Sequence, residues 1–168
     1  MDLRQTLIVD ASYNHGTGVT GIGIAVHETD KPGRNGILID QIAEAYANIS
    51  AGAGELLAVY RALEIGLERG FSTVRIRSDY NAMRKALKRD QDLREGFPRR
   101  DLYGEILRMT KNYDSVQFAY KPKRKNRMPH ELARRAVQSM TAIHRTELVE
   151  LTARNPHVIA HTSPALHA

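Results

Sequence analysis

Runs and alternations of apolar residues in the first 45 positions predict three β-strands. Residues 6–13 read as a mostly buried strand, residues 21–27 as a second strand containing two glycines, and residues 37–45 as a third. Turn-forming residues at 14–18 and 31–36 separate them. Strands joined by such turns in direct succession are typical of an antiparallel meander.

The remainder of the chain alternates helical and strand patterns. The predicted elements are a helix over 54–69, a strand over 73–78, a helix over 81–88, a polar loop over 90–98, a helix over 99–112, a strand over 115–120 and a helix that begins near Pro129. Gly70 suits the end of the first helix, and Pro129 suits the first turn of the last one. This order predicts an α/β domain in which a mixed sheet carries helices on its faces.

The length and the last segment of the chain predict one domain with a C-terminal extension. The 168 residues suffice for one domain with a sizeable core. We assign residues 1–142 to this domain and residues 143–168 to the extension. The extension is expected to be helical at first and weakly ordered after Asn155 and Pro156.

The composition indicates in which compartment the protein works and which kind of partner it binds. The chain has no cysteine, which excludes disulfides and thiolate metal sites. It shows neither a signal peptide nor an apolar stretch long enough to span a bilayer, so we expect a cytoplasmic protein without membrane contact. Lys and Arg number 25 against 19 Asp and Glu, which gives a net charge of +6 and favours a nucleic acid partner.

A basic surface could serve solubility alone, but the basic residues of this chain are clustered. One dense group consists of Lys121, Lys123, Arg124, Lys125 and Arg127. A looser group consists of Lys85, Lys88, Arg89, Arg94, Arg99 and Arg100. Such local density favours contacts with phosphates.

Three carboxylates stand where predicted buried elements meet solvent. Asp10 closes the first apolar run, Glu55 opens the first helix and Asp79 follows the fourth strand. Each alone has a plain explanation, because Asp forms turns and Glu complements a helix dipole. If strands one and four lie parallel and adjacent, however, all three emerge at one sheet edge. Carboxylates that close repel one another without a cation, which supports a pair of Mg²⁺ or Mn²⁺ ions suited to phosphodiester hydrolysis.

Four segments with their predicted elements resemble type 1 ribonuclease H over about residues 5–140. They are residues 8–14 with glycines at 16, 18, 21 and 23, residues 54–64, residues 76–81 and residues 126–136. The resemblance implies a ribonuclease H-like fold, with a five-stranded mixed sheet of three antiparallel strands and then two parallel ones. It also implies an endoribonuclease that hydrolyses the RNA strand of RNA/DNA hybrids and leaves 5′-phosphate and 3′-hydroxyl ends.

The same resemblance implies roles for individual residues. Asp10 would bridge two metal ions while Glu55 and Asp79 complete their coordination. Substrate-binding positions follow by the same match: Ser12, Asn14 and Asn81 would contact the hybrid near its minor groove, and Ser50 would contact a phosphate. We expect Lys123, Arg124, Lys125 and Asn126 to add to substrate binding, in a loop where the family often carries a histidine. Recognition by groove shape and 2′-hydroxyls implies cleavage that is largely independent of sequence.

Position 130 departs from the family pattern. His130 stands where the family usually has Asp, and we assign it as a catalytic and metal-binding residue. Because imidazole nitrogen suits Mn²⁺ better than Mg²⁺, this predicts a shift in preference towards Mn²⁺. Two alternatives remain open: Glu131 could be the ligand, although a helix turns it about 100° away, or His130 could merely open the helix.

Other functions compete with hybrid cleavage. A nuclease of the same fold could act on double-stranded RNA or DNA, and loss of the fourth carboxylate could leave a module that only binds hybrids. Three clustered carboxylates beside phosphate argue against a pure binder. We expect a monomer without an organic cofactor.

Overall fold

A computed structural model describes residues 4–29, 36–81 and 100–154, with only the backbone at residues 4, 100 and 143–154. Its elements are β1 (Arg4–Asn14), β2 (Val19–Thr29), β3 (Ile37–Ala47), α1 (Ala51–Glu68), β4 (Thr73–Ser78), α2 (Arg100–Thr110), β5 (Ser115–Tyr120), a 3-10 turn (Lys123–Lys125) and α3 (Arg127–Arg154). None of the helices in these ranges combines the length and apolarity that crossing a membrane requires.

The five strands form one sheet in the order β3-β2-β1-β4-β5. Strand β1 pairs antiparallel with β2, and β2 pairs antiparallel with β3. Strand β4 runs parallel to β1 on one side and to β5 on the other. The predicted mixed sheet, with three antiparallel strands followed by two parallel ones, is therefore confirmed.

One face of the sheet packs against α1 and α2 to form the core. Leu7 and Val9 of β1 and Ile76 of β4 alternate onto this face, where Leu63 of α1 and Ile106 of α2 cover them. All five side chains are buried. The core therefore fixes α1 across the middle of the sheet.

The opposite face of the sheet receives α3 at very short range. A Cβ atom on Gly23 would lie 2.0 Å from the carbonyl oxygen of Pro129, and one on Gly21 would lie 2.1 Å from that of Ala133. Both distances are far below a van der Waals contact, so only glycine fits at these positions. The glycines of β2 thus set how closely the start of α3 approaches the sheet.

A second close contact joins α1 to the turn before β5. The hydroxyl of Tyr113 donates a hydrogen bond to the carbonyl oxygen of Leu63. A Cβ atom on Gly66 would lie 2.4 Å from that hydroxyl. Tyr113 thereby ties the second half of α1 to the β5 side of the sheet.

Helix α1 begins earlier than predicted. It starts at Ala51 rather than Gly54, because the side chain of Ser50 accepts a hydrogen bond from the backbone N–H of Ala53 (3.4 Å) and caps the helix. The prediction that Glu55 lies in the first turn is therefore wrong, since Glu55 is the fifth helical residue. The first turn of α1 consists of Ala and Gly residues, and in the sequence such a stretch is typical of a loop.

Several predicted segments fall outside the described residues. They are most of the helix over 81–88, the loop over 90–98, most of the turn over 31–36, the looser basic group apart from the backbone of Arg100, and the tail over 157–168. Helix α3 runs without a break through position 142 to Arg154. The boundary between domain and extension stays a prediction.

Candidate active site

The pairing of β1 with its two neighbours places Asp10 beside the C-terminal end of β4. Strand β1 extends to Asn14, so Asp10 lies within the strand and pairs with Gly23 of β2. The parallel pairing with β4 stops earlier, at Ile8 opposite Arg77. Continuing this register by two residues brings Asp10 opposite Asp79, just beyond the end of β4.

Helix α1 brings Glu55 to the same end of β4. Gly54, the preceding residue, allows the close approach of α1 to β2, because a Cβ there would lie 2.6 Å from the methyl carbon of Thr20. Gly54 therefore serves the packing of α1 against β2. The hydroxyl of Thr20 also donates to the carbonyl oxygen of Ile49 at 2.6 Å, which holds the start of the helix to the strand.

The three carboxylates form a compact cluster. One oxygen atom from each of Asp10, Glu55 and Asp79 lies within 4.8 Å of the other two. Asp10 is almost fully buried, with 2% of its surface exposed. The Oε2 atom of Glu55 is buried and has no hydrogen-bond partner. A buried, unsatisfied carboxylate oxygen beside two further carboxylates fits a bound divalent cation, since oxygen donors in this number suit Mg²⁺ or Mn²⁺.

Burial and mutual repulsion shift the protonation of the cluster. The pKa of Glu55 is raised to about 8, first by burial and then by the charges of Asp10 and Asp79. The pKa of Asp10 is raised to about 6, again by burial and then by Asp79, while His130 opposes the rise. Both shifts favour the protonated acids until a cation neutralises the cluster.

His130 contacts one member of the cluster only. Its Nδ1 atom lies 2.9 Å from Oδ2 of Asp10, and the ring is 43% exposed. The compact group of ligand atoms contains the three carboxylates without His130. When Asp10 is ionised, Nδ1–H donates to it and the lone pair of Nε2 is free to accept a proton or a cation.

Replacing Glu55 with Gln is expected to stabilise the metal-free protein at alkaline pH. The folded carboxyl stays protonated up to about pH 8, whereas the unfolded one ionises near 4.5. The wild type therefore loses stability as the pH rises through this window, and Gln does not. Thermal melts in chelator should show a Tm gain of about 4 °C at about pH 9 that shrinks towards pH 5. A gain independent of pH, or an equal gain for the exposed Glu105→Gln, would contradict the assignment.

Asn126 lies in the interior of the protein and not on its surface. Its side chain is fully buried, and its Nδ2 atom donates to the carbonyl oxygen of Val9 at 2.9 Å. The carbonyl oxygen of Asn126 in turn accepts from the backbone N–H of His130 at 3.2 Å. The predicted contact of Asn126 with substrate stays a prediction, and the full burial of its side chain gives it no support. The residue instead joins the start of α3 to β1, one residue before Asp10.

The other predicted substrate contacts lie on or next to the elements that carry the three carboxylates. Ser12 and Asn14 are half-buried on β1, Ser50 is exposed at the start of α1, and Asn81 follows Asp79 with a buried Oδ1 that has no hydrogen-bond partner. Asn14 already accepts from the backbone N–H groups of Gly16 (2.9 Å) and Thr17 (3.2 Å), so its NH₂ group is the part left for a substrate. Their roles in binding stay predictions.

The basic loop divides into an exposed and a buried part. Lys123, Arg124 and Lys125 form the exposed 3-10 turn, and the charge of Lys123 acts on Glu55, where it lowers the pKa. Lys121 is buried, with only 7% of its surface exposed. A count of basic residues does not separate these positions. The alternation of β5 does not separate them either, because Lys121 continues the side of Gln117 and Ala119 and not the core-facing side of Val116 and Phe118.

Comparison with known proteins bears on both fold and family. The family model described as reverse transcriptase-like matches residues 8–136. The chain belongs to this family. No curated protein matches the sequence of this reverse transcriptase-like domain.

Solved structures show the fold of the domain. Ribonuclease H1 from Halobacterium salinarum NRC-1 superposes with a TM-score of 0.70 at 19% identity, over 81% of this chain and 98% of that one. The N-terminal ribonuclease H domain of rv2228c from Mycobacterium tuberculosis gives 0.71 at 13% identity, over 84% and 99%. LC11-RNase H1 in complex with an RNA/DNA hybrid gives 0.67 at 19% identity, over 82% and 99%. The resemblance to type 1 ribonuclease H is thus confirmed in the fold.

Proposed function

We propose that this protein is a metal-dependent endoribonuclease that hydrolyses the RNA strand of RNA/DNA hybrids. The observation that carries the proposal is the cluster of Asp10, Glu55 and Asp79, with ligand oxygens within 4.8 Å of one another, on a ribonuclease H fold. A similar fold is bound to an RNA/DNA hybrid in LC11-RNase H1. Since all three carboxylates come from one chain, we also propose that the protein acts as a monomer.

The carboxylates are the groups that would hold the metal. Asp10, Glu55 and Asp79 would hold the metal through carboxylate oxygens that lie within 4.8 Å of one another. Two bound Mg²⁺ or Mn²⁺ ions supply an activated water and charge stabilisation at the leaving oxygen of a phosphodiester. The buried position of Asp10 and the core packing of α1 hold the carboxylates still before substrate arrives.

Residues around the cluster would orient the hybrid and handle protons. The hydroxyl of Ser50 can donate to a phosphate while it still accepts from Ala53, because a hydroxyl does both. The exposed turn over Lys123–Lys125 presents three positive charges next to the site, which suits backbone phosphates. His130 contacts Asp10 through Nδ1, and its Nε2 atom is the candidate group for proton transfer.

The test is a cleavage assay with three labelled substrates. RNA/DNA hybrid, double-stranded RNA and double-stranded DNA are each incubated with the protein in Mg²⁺ and in Mn²⁺, with Asp10→Asn as the reference. We expect cleavage of the RNA strand in the hybrid alone. No hybrid cleavage in either metal would overturn the proposal, and faster cleavage of another duplex would reassign the substrate.

The choice of metal should depend on His130. Wild-type protein is expected to work better in Mn²⁺ relative to Mg²⁺ than a His130→Asp variant, because imidazole nitrogen suits Mn²⁺ and a carboxylate suits Mg²⁺. The ratio of rates in the two metals should fall about tenfold in the variant. An unchanged ratio, or a stronger Mn²⁺ preference in His130→Asp, would contradict the prediction that His130 sets the metal preference.

A further inference from the structure

Asn126 connects three elements next to Asp10. Its side chain is fully buried, and Nδ2 donates to the carbonyl oxygen of Val9 in β1 at 2.9 Å. Its backbone N–H donates to the carbonyl oxygen of Lys123 at 2.9 Å, and its own carbonyl oxygen accepts from the backbone N–H of His130 at 3.2 Å. One buried residue thus joins β1, the basic 3-10 turn and the start of α3.

These hydrogen bonds support both partners of the contact between Asp10 and His130. Asp10 directly follows Val9 in β1, and the Nδ1 atom of His130 lies 2.9 Å from its Oδ2 atom. Two hydrogen bonds through Asn126 therefore run from the backbone next to Asp10 to the backbone of His130. The pairing of β1 with β4 ends at Ile8, so Asn126 holds β1 just beyond the point where β4 stops doing so.

The direction of the His130 ring depends on the backbone at the start of α3. The ring is 43% exposed, and its hydrogen bond to Asp10 is the only one that it makes within the part of the chain that the structure describes. A ring with so little packing around it follows the backbone that carries it. The contact of Gly23 with Pro129 limits how near α3 comes to the sheet, whereas the side chain of Asn126 fixes where along β1 the helix begins.

The chemistry of the side chain indicates why an amide stands at position 126. The Oδ1 atom of Asn126 is buried without a hydrogen-bond partner, although Nδ2 has one. A buried polar atom without a partner costs free energy, and an apolar side chain would avoid that cost. The amide is therefore better explained by its donor, which binds β1 beside Asp10, than by a gain in stability.

We propose that Asn126 is a positioning residue, which holds the imidazole of His130 against Asp10 and does not itself touch the substrate. Its loss would free the start of α3 to shift along β1, and the distance of 2.9 Å from Nδ1 to Oδ2 would no longer be maintained. Such shifts matter for the rate, because displacement of a reacting group by about 1 Å can cost about a hundredfold. The kinetic part of this inference rests on the proposed hybrid cleavage, but the contact itself is a property of the protein without substrate.

The first experiment determines the tautomer of His130 in metal-free protein by NMR of the ring nitrogens at alkaline pH, with His130→Ala to assign the signals. Above its pKa of about 6, Asp10 accepts from Nδ1–H, so the wild-type ring should show the Nδ1–H tautomer alone. Asn126→Ala should release the ring and give a mixture of both tautomers. A mixture already in wild-type protein, or an unchanged single tautomer in Asn126→Ala, would overturn the proposal.

Tyr113→Phe is the matched control for this experiment. It also removes one buried hydrogen bond from a side chain to a backbone carbonyl, that to Leu63, but in the second half of α1. Both variants should therefore lose stability, and both are studied well below their Tm. Only Asn126→Ala should change the tautomer of His130. The same change in Tyr113→Phe would show a general effect of destabilisation and would count against the proposal.

The second experiment compares hybrid cleavage in two backgrounds. Asn126→Ala should lower kcat by about 10- to 100-fold and leave KM within about threefold, because the substrate contacts remain. If Asn126 acts through His130, the same substitution should lower kcat by less than about threefold in a His130→Ala background. Tyr113→Phe should change kcat by less than about threefold in both backgrounds.

The outcomes separate this inference from the proposed function. Equal losses from Asn126→Ala in the two backgrounds would contradict the positioning role, even if the hybrid is cleaved. A rise in KM with unchanged kcat would indicate a contact with substrate and would also contradict it. If the wild type cleaves no hybrid, the proposed function fails, and the tautomer of His130 still decides whether Asn126 positions the ring.

Discussion

Replacing Asp10 with Asn should lower hybrid cleavage by about a thousandfold in either metal. Asp10 is the most buried of the three carboxylates, and it contacts His130 as well as facing Glu55 and Asp79. An amide at this position removes one negative charge and leaves one oxygen in place of two, so the remaining pair cannot hold two cations. Initial rates with saturating hybrid in Mg²⁺ and in Mn²⁺ would measure the loss.

The loss should arise from chemistry and not from unfolding. Burial, and then repulsion by Asp79, raise the pKa of Asp10 to about 6, so the ionised carboxylate destabilises the folded protein near neutral pH. Asn at this position carries no charge, and the metal-free variant should therefore melt no lower than wild type near neutral pH. Asp114→Asn makes the same change at an exposed position of the turn before β5 and should keep full activity. If Asp10→Asn cleaved the hybrid at the wild-type rate, the assignment of Asp10 to the active site would be wrong.

Replacing Gly23 with Ala should destabilise the protein by about 3 kcal/mol, the upper end for overpacking. The new methyl carbon would meet the carbonyl oxygen of Pro129 at 2.0 Å, and a backbone atom cannot rotate away as a side chain can. The start of α3 must therefore move off the sheet and take His130 with it. Urea denaturation would give the change in the free energy of unfolding.

Gly104→Ala is the matched control for this prediction. Gly104 lies inside α2, and a Cβ there would have nothing within 4 Å. The substitution should stabilise the protein by about 0.5–1 kcal/mol, because Ala restricts the unfolded chain and favours the helix. A loss below about 0.5 kcal/mol for Gly23→Ala would show that α3 can shift without cost.

The sequence predicts the elements and the convergence of the three carboxylates well, for a physical reason. Apolar periodicity defines β1, β4 and α1. Because β1 and β4 pair in parallel, Asp10 and Asp79 must lie close to each other near the C-terminal end of β4. The start of α1 was missed because Ala51 to Gly54 have the composition of a loop, and the cap at Ser50 is visible only once the helix is known.

The roles of Asn126 and Lys121 could not be read from residue types. Both lie in a polar, basic stretch that resembles a solvent-exposed loop, yet Asn126 is fully buried against β1 and Lys121 is buried as well. Their burial depends on how the chain returns from β5 to α3, which is a tertiary contact between residues far apart in sequence. The pairing of His130 with Asp10 has the same origin.

The contact of Tyr113 with α1 has a consequence for how related sequences diverge. Its hydroxyl occupies the space that any side chain at position 66 would need, since a Cβ on Gly66 would lie 2.4 Å away. Among homologues, a residue larger than glycine at 66 should therefore occur only with a smaller residue at 113. The two positions should covary, although 47 residues separate them along the chain.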